Sequence, residues 1–160
     1  MFTSYNSPPK RIPSTPEWVA FSLDPEYAKL PAADRARATI PWIWNGEFAE
    51  NNPAVVERFI AISSEYPTPS HALVSQYNVI MSHDTYDRLP DIKAPILVIA
   101  GSGDRIIPCE NSNILADRIP NAGLAIIENA GHNFLTDSKE KASKIILDFL
   151  RRHSKAGAKN

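Results

Sequence analysis

The sequence predicts an α/β protein in which two parallel strands, near residues 95–100 and 123–128, follow a long helical region. Three observations carry that expectation. Ile96-Leu97-Val98-Ile99-Ala100 is an unbroken apolar run that stops at Gly101-Ser102-Gly103-Asp104, the pattern of a parallel strand covered on both faces. Gly123 releases a second run, Leu124-Ala125-Ile126-Ile127, and between the two lies a short stretch with Ile114, Leu115, Arg118 and Ile119 on one helical stripe. Residues 15–88, by contrast, carry helix signals separated by prolines and show no strand pattern.

Taken in order, residues 1–15 hold Pro8, Pro9 and Pro13 among serines and threonines and read as an extended proline-rich loop. Residues 16–89 read as a helical cap or lid. Thr15-Pro16, Asn52-Pro53 and Thr68-Pro69 each set a capping side chain before a proline at the first helical position. Val55, Val56, Phe59, Ile60 and Ser63 share one face of the second of these helices, and Leu73, Val74, Tyr77, Ile80 and Met81 one face of the third. A weaker helix is expected over Ala32–Thr39. Residues 90–153 read as a piece of the core: strand, helix over 110–119, strand, and a closing helix from Ser138 to about His153. Asp137 with Glu140 resembles a capping box at its start, Ala142, Ile145, Ile146, Phe149 and Leu150 recur at helical spacing, and Arg151, Arg152 and His153 suit the negative end of its dipole. Residues 154–160 are expected to be a disordered polar tail.

Composition narrows the function. A chain of 160 residues, 43% hydrophobic, is large enough for a soluble domain with its own core. A net charge of −1, with acids and bases intermixed, predicts no nucleic-acid or membrane-surface partner. The single Cys109 cannot form an internal disulfide, the first residues lack the pattern of a signal peptide, and no apolar run approaches the roughly 18 residues of a membrane span. A cytoplasmic protein is expected.

The chemistry-bearing residues gather where ligands of open α/β sheets gather, beyond the carboxyl ends of the strands. Asp104 follows the first strand and His132 the second. Each alone has an ordinary explanation, the Asp as turn chemistry after Gly-Ser-Gly and the His as a loop residue bonded to backbone. Trp42, Trp44 and Phe48, around Pro41 and Gly46, form the most aromatic stretch; they are candidates both for cap core and for the wall of an apolar pocket. His83, Asp84 and Asp87 could be considered as metal ligands, but charged residues bonding locally at a helix end explain them better, and no metal is expected. Cys109, just after Pro108 near a helix start, stands where a helix dipole would lower a thiol pKa, although a small buried hydrophobe is the simpler reading.

The turn Gly101–Asp104 with Pro108 after it, the loop Ala130-Gly131-His132 and the 28-residue step from Asp104 to His132 resemble the last third of an α/β-hydrolase. The resemblance covers about residues 40–152 and is specific from Leu89 to Leu150. It implies the C-terminal part of an α/β-hydrolase fold with a helical cap, and Asp104 and His132 as the acid and base of a triad in the order Ser, Asp or Glu, His. A serine hydroxyl attacks only when a histidine takes its proton, and that histidine needs a carboxylate on its other nitrogen. The implied reaction is hydrolysis of an ester, lactone or similar acyl bond in a small apolar substrate, without a cofactor. Relatives with an Asp nucleophile act on epoxides or carbon–halogen bonds, so the nucleophile decides the reaction type. None of the six glycines provides a G-x-S-x-G elbow, no His-Gly oxyanion loop is present, and Met1 is expected to fall where about half of the catalytic domain is already built. The chain is therefore expected to be inactive alone. Its expected partners are the missing N-terminal half or a second copy bound through an open strand edge. The alternative is a truncated remnant or split-gene segment that acts as a binding module.

Overall fold

The computed structural model describes residues 11–154; the first ten residues of the expected proline-rich loop, and the tail from 155 on, lie outside the described residues. Six helices come first: α1 Pro16–Ser22, α2 Pro25–Lys29, α3 Ala32–Ile43, α4 Gly46–Asn51, α5 Pro53–Glu65 and α6 Ser70–Ser82. The caps explain where several of them begin. Thr15 Oγ1 accepts from Trp18 N at 3.3 Å with Pro16 in the first turn, Asp24 Oδ1 from Glu26 N at 2.8 Å, and Asn45 Oδ1 from Phe48 N at 2.7 Å.

Two expected caps are not made. Asn52 turns its side chain back, donating Nδ2 to Phe48 O at 2.8 Å, and α6 begins after Pro69 with no side-chain cap. Helix α3 runs on past Thr39 and carries Pro41 in its last turn, ending two residues later at Ile43. It packs against α5, and Ala36, Ile43, Trp44 and Ile60 are buried there. The apolar stripe of α6 differs from expectation: Leu73, Val74, Tyr77 and Ile80 are exposed instead of buried.

A 3₁₀ turn, Tyr86–Asp91, leads into the α/β part: β1 Ile96–Gly101, α7 Glu110–Arg118, β2 Ala122–Ile127, α8 Phe134–Asp137 and α9 Lys139–Ser154. Strands β1 and β2 are parallel, in register from Ile96 opposite Ala122 to Gly101 opposite Ile127, and α7 packs on both. Leu89 of the 3₁₀ turn, Val98, Leu115 and Ile119 form one buried cluster; Ile127, Ala130 and Ala142 form a second beside it. The first strand is less covered than its apolar run implies. Val98 is buried, but Ile96, Leu97, Ile99 and Ala100 are half-buried, since β2 is its one neighbouring strand among the described residues. On α9 the expected face is buried at Ala142 and half-buried at Ile145, Ile146 and Phe149, while Leu150 is exposed. Among the described residues no helix is long and apolar enough to cross a membrane.

Candidate functional site

Asp104 and His132 meet at the carboxyl ends of β1 and β2. His132 Nδ1 lies 2.8 Å from Asp104 Oδ2, and the two side chains are 27% and 9% exposed. The other carboxylate oxygen, Oδ1, accepts from Ile106 N and Ile107 N, each at 2.8 Å. Asp104 therefore makes the local turn its sequence suggests and holds the histidine as well. An ionised carboxylate only accepts, so the contact places a proton on Nδ1 and leaves the Nε2 lone pair as the basic site. Among the described residues Nε2 has no hydrogen-bond partner.

Small residues let the two loops approach this closely. Gly103 N donates to Ala130 O and Ser102 N to Ile127 O, both at 2.9 Å, while Asn129 N donates to Ser102 Oγ at 2.9 Å. Ala130 is wholly buried. A Cβ on Gly101 would stand 2.5 Å from Gly131 O and 2.6 Å from Ala130 C. Asn129 adopts φ 59°, the left-handed conformation that Asn tolerates better than most residues.

The helical region grips the same loop from its far side. Asn133 N donates to Ile43 O at 2.8 Å and Asn45 Nδ2 to Asn129 O at 3.0 Å. Asp137 Oδ2 accepts from Gly131 N at 2.7 Å and from Asn45 N at 3.4 Å. The capping-box role expected of Asp137 is thus not what its carboxylate does. Sequence reasoning missed Asp137, Asn45 and Ile43 as site residues, and only the sequence closeness of Asp137 to His132 hinted at one of them. The acid loop is tied down in turn. Arg105 lies 4.3 Å above the Trp42 ring and donates to Pro41 O at 3.4 Å, while Asn111 exchanges bonds of 2.9 and 2.8 Å with the backbone of Ile12.

The three aromatic pocket candidates separate into two groups. Trp44, 4% exposed, packs edge-on against Phe48 and Phe59, whereas Trp42 joins Trp18 and Phe21. Cys109 is half-buried at the start of α7. Burial, and then the neighbouring Glu110 carboxylate 3.8 Å from Sγ, push its thiol up; this is opposite to the lowering expected from the helix dipole. His83 and Asp84 bond locally, to Thr85 Oγ1 and Tyr86 N, and Asp87 faces Arg118 at 3.9 Å. Among the described residues no three His, Cys, Asp or Glu side chains are grouped to hold a metal.

Comparison with known proteins identifies the family. Residues 75–158, just over half of the chain, match the α/β-hydrolase family described as TAP-like proteins. The chain belongs to the α/β-hydrolase family. A poly(3-hydroxyalkanoate) depolymerase of Ectopseudomonas oleovorans is 48% identical over 63 residues, 39% of this chain and 22% of that protein. A protein of Stutzerimonas stutzeri described as the carbamate hydrolase RutD is 35% identical over 82 residues, 51% of this chain and 31% of its own. The enol-lactonase of Burkholderia xenovorans LB400 superposes with a TM-score of 0.72 over 89% of this chain and 53% of its own, at 24% identity, and shares the fold. This α/β-hydrolase chain thus spans about a third or less of the curated relatives' length and about half of the solved structure's.

Proposed function

We propose that Asp104 and His132 are the acid and base of an acyl hydrolase that cleaves an ester, lactone or similar bond in a small apolar substrate. They would act on a serine carried by a G-x-S-x-G segment that these 160 residues do not contain. The observation that carries the reading is the 2.8 Å bond between Nδ1 and Oδ2, with Oδ1 already fixed by two backbone amides. A carboxylate so anchored fixes the imidazole plane and tautomer. His132 Nε2 can then accept the serine proton as the hydroxyl oxygen attacks the carbonyl, and return it to the leaving group when the tetrahedral intermediate collapses. Asp104 stays ionised throughout and stabilises the imidazolium. The relatives described as a poly(3-hydroxyalkanoate) depolymerase and a carbamate hydrolase support hydrolysis as the reaction.

The test is hydrolysis of p-nitrophenyl butyrate by this chain alone and by the chain co-expressed with an α/β-hydrolase segment that bears the elbow. The chain alone should react no faster than its His132→Ala variant. The reconstituted enzyme should lose about three or more orders of magnitude with His132→Ala and somewhat less with Asp104→Asn. Turnover by the chain alone that depends on Cys109, or reconstituted turnover that survives His132→Ala, would sink the assignment.

A further inference from the structure

Asp137 stands five residues beyond His132, on the short helix α8, and among the described residues makes no hydrogen bond to the Asp104 or His132 side chain. Its carboxylate nevertheless reaches back into the histidine's own loop. Oδ2 accepts from Gly131 N at 2.7 Å, the residue before His132, and from Asn45 N at 3.4 Å, in the turn between α3 and α4. The residue after His132 is held as firmly, with Asn133 N donating to Ile43 O at 2.8 Å. Space is closed as well as bonded: a Cβ at Gly131 would meet Ile43 O at 2.8 Å, Asp137 Oδ2 at 2.9 Å and Trp44 Cα at 3.0 Å. His132 is therefore clamped on both sides, and every clamp but one ends on the α3–α4 junction. The exception is the carboxylate that joins that junction to the loop.

We propose that Asp137 is a positioning residue. By holding Gly131 and Asn45 on one oxygen it fixes the backbone of His132 so that Nδ1 meets Asp104, and it couples the base to the helical region. The inference rests on the reading of His132 as the base. An anion is well chosen for the role, because a charged acceptor holds amide donors more tightly than a neutral one and serves both with one atom. Its Oδ1 is buried without a hydrogen-bond partner among the described residues. Asn in that place keeps an acceptor for the amides but trades an unpaired acceptor for an unpaired donor.

The experiment compares Asp137→Ala, Asp137→Asn and His132→Ala in the reconstituted enzyme, with kcat expressed per folded molecule by circular dichroism. It adds amide hydrogen exchange at Gly131 and Asn133 in the full chain. Asp137→Ala should lower kcat by about 10- to 100-fold with KM within about twofold, the size expected when a catalytic group moves by about 1 Å. Exchange at Gly131 should rise at least about tenfold while the β1–β2 amides stay protected. Asp137→Asn should fall between Ala and wild type in both readouts. If Asp137→Ala fails to fold, the Asn variant decides: an intermediate loss supports the proposal, and wild-type kcat with wild-type exchange overturns it. Unchanged kcat in Asp137→Ala, beside a dead His132→Ala, overturns the positioning role alone. Turnover that survives His132→Ala removes the base assignment instead, and the exchange at Gly131 then decides whether the clamp exists.

Discussion

Gly101→Ala tests most directly how the two loops are held together. The added Cβ would stand 2.5 Å from Gly131 O and 2.6 Å from Ala130 C, and nearer still to Ala130 O. All three are backbone atoms, so no flexible side chain can turn aside. To bring these contacts to even 3 Å the loop must retreat by at least about half an ångström, and overpacking of this kind costs about 1–3 kcal/mol. At this chain length each kcal/mol lowers Tm by about 2–4 °C, so a fall of roughly 2 to 12 °C is expected. The retreat also pulls on the 2.8 Å contact between His132 and Asp104, because His132 follows Gly131 directly. The assays are a thermal melt by circular dichroism and p-nitrophenyl butyrate turnover of the reconstituted enzyme, where about a 100-fold loss is expected for displacement near 1 Å. A variant with unchanged Tm and turnover would refute the close approach of the Ala130–Gly131 backbone to β1.

Asn129, at φ 59° two residues before Gly131, should tolerate Gly with little change in stability and lose about 1–2 kcal/mol as Val, measured by urea denaturation. The raised Cys109 thiol should make its alkylation by iodoacetamide rise with pH through a midpoint above the ordinary thiol value of about 8.5. The sign for stability follows: the folded chain holds this proton more tightly than the unfolded one, so its contribution is full below the unfolded value and is lost as pH rises through the folded one. A midpoint below that of a free thiol would show that the helix dipole outweighs burial and Glu110 together.

The acid and the histidine are legible in sequence because each ends a strand, and strand ends are marked by the plainest signal available, an apolar run broken by turn residues. Ile96–Ala100 before Gly101 and Leu124–Ile127 before Glu128 locate the strands to within a residue or two of β1 and β2. Family resemblance then made two ordinary loop residues into a pair. What escaped is long-range. Asp137 and Glu140 satisfy a local capping pattern, and nothing in that pattern distinguishes a carboxylate bonded to its own helix from one bonded to Gly131 and to Asn45, 92 residues away. Trp42, Trp44 and Phe48 cluster in sequence but sit at the end of α3, at its C-cap and in α4, and side chains two residues apart at a helix end diverge; hence Trp42 joins Trp18 while Trp44 joins Phe59. The short helices α2 and α4 were invisible because five or six residues hold too little periodicity to read.

Burial patterns carry one more consequence. Helix α6 leaves Val74 and Val79 61% and 65% exposed, β2 exposes Leu124 and Ile126, and α9 exposes Leu147 and Leu150. Single exposed leucines are ordinary, but runs of them along an element mark surface that a partner covers. Strand β1 adds a second kind of adhesive surface, since β2 is its only strand neighbour among the described residues and an unpaired edge offers a ready template for another chain. The purified chain should therefore self-associate, or remain a loosely packed monomer that binds ANS and melts over a broad range. Two lysines on one face of α6, Val74→Lys with Tyr77→Lys, separate the sources. If the apolar face of α6 drives association, light scattering should show the assembly shrink and ANS fluorescence fall; if the strand edge drives it, the assembly should persist. A monodisperse monomer without ANS enhancement, unfolding in one sharp transition above about 50 °C, would show that α6 and the two-stranded sheet need no cover, and the argument from exposure would fail at its first step.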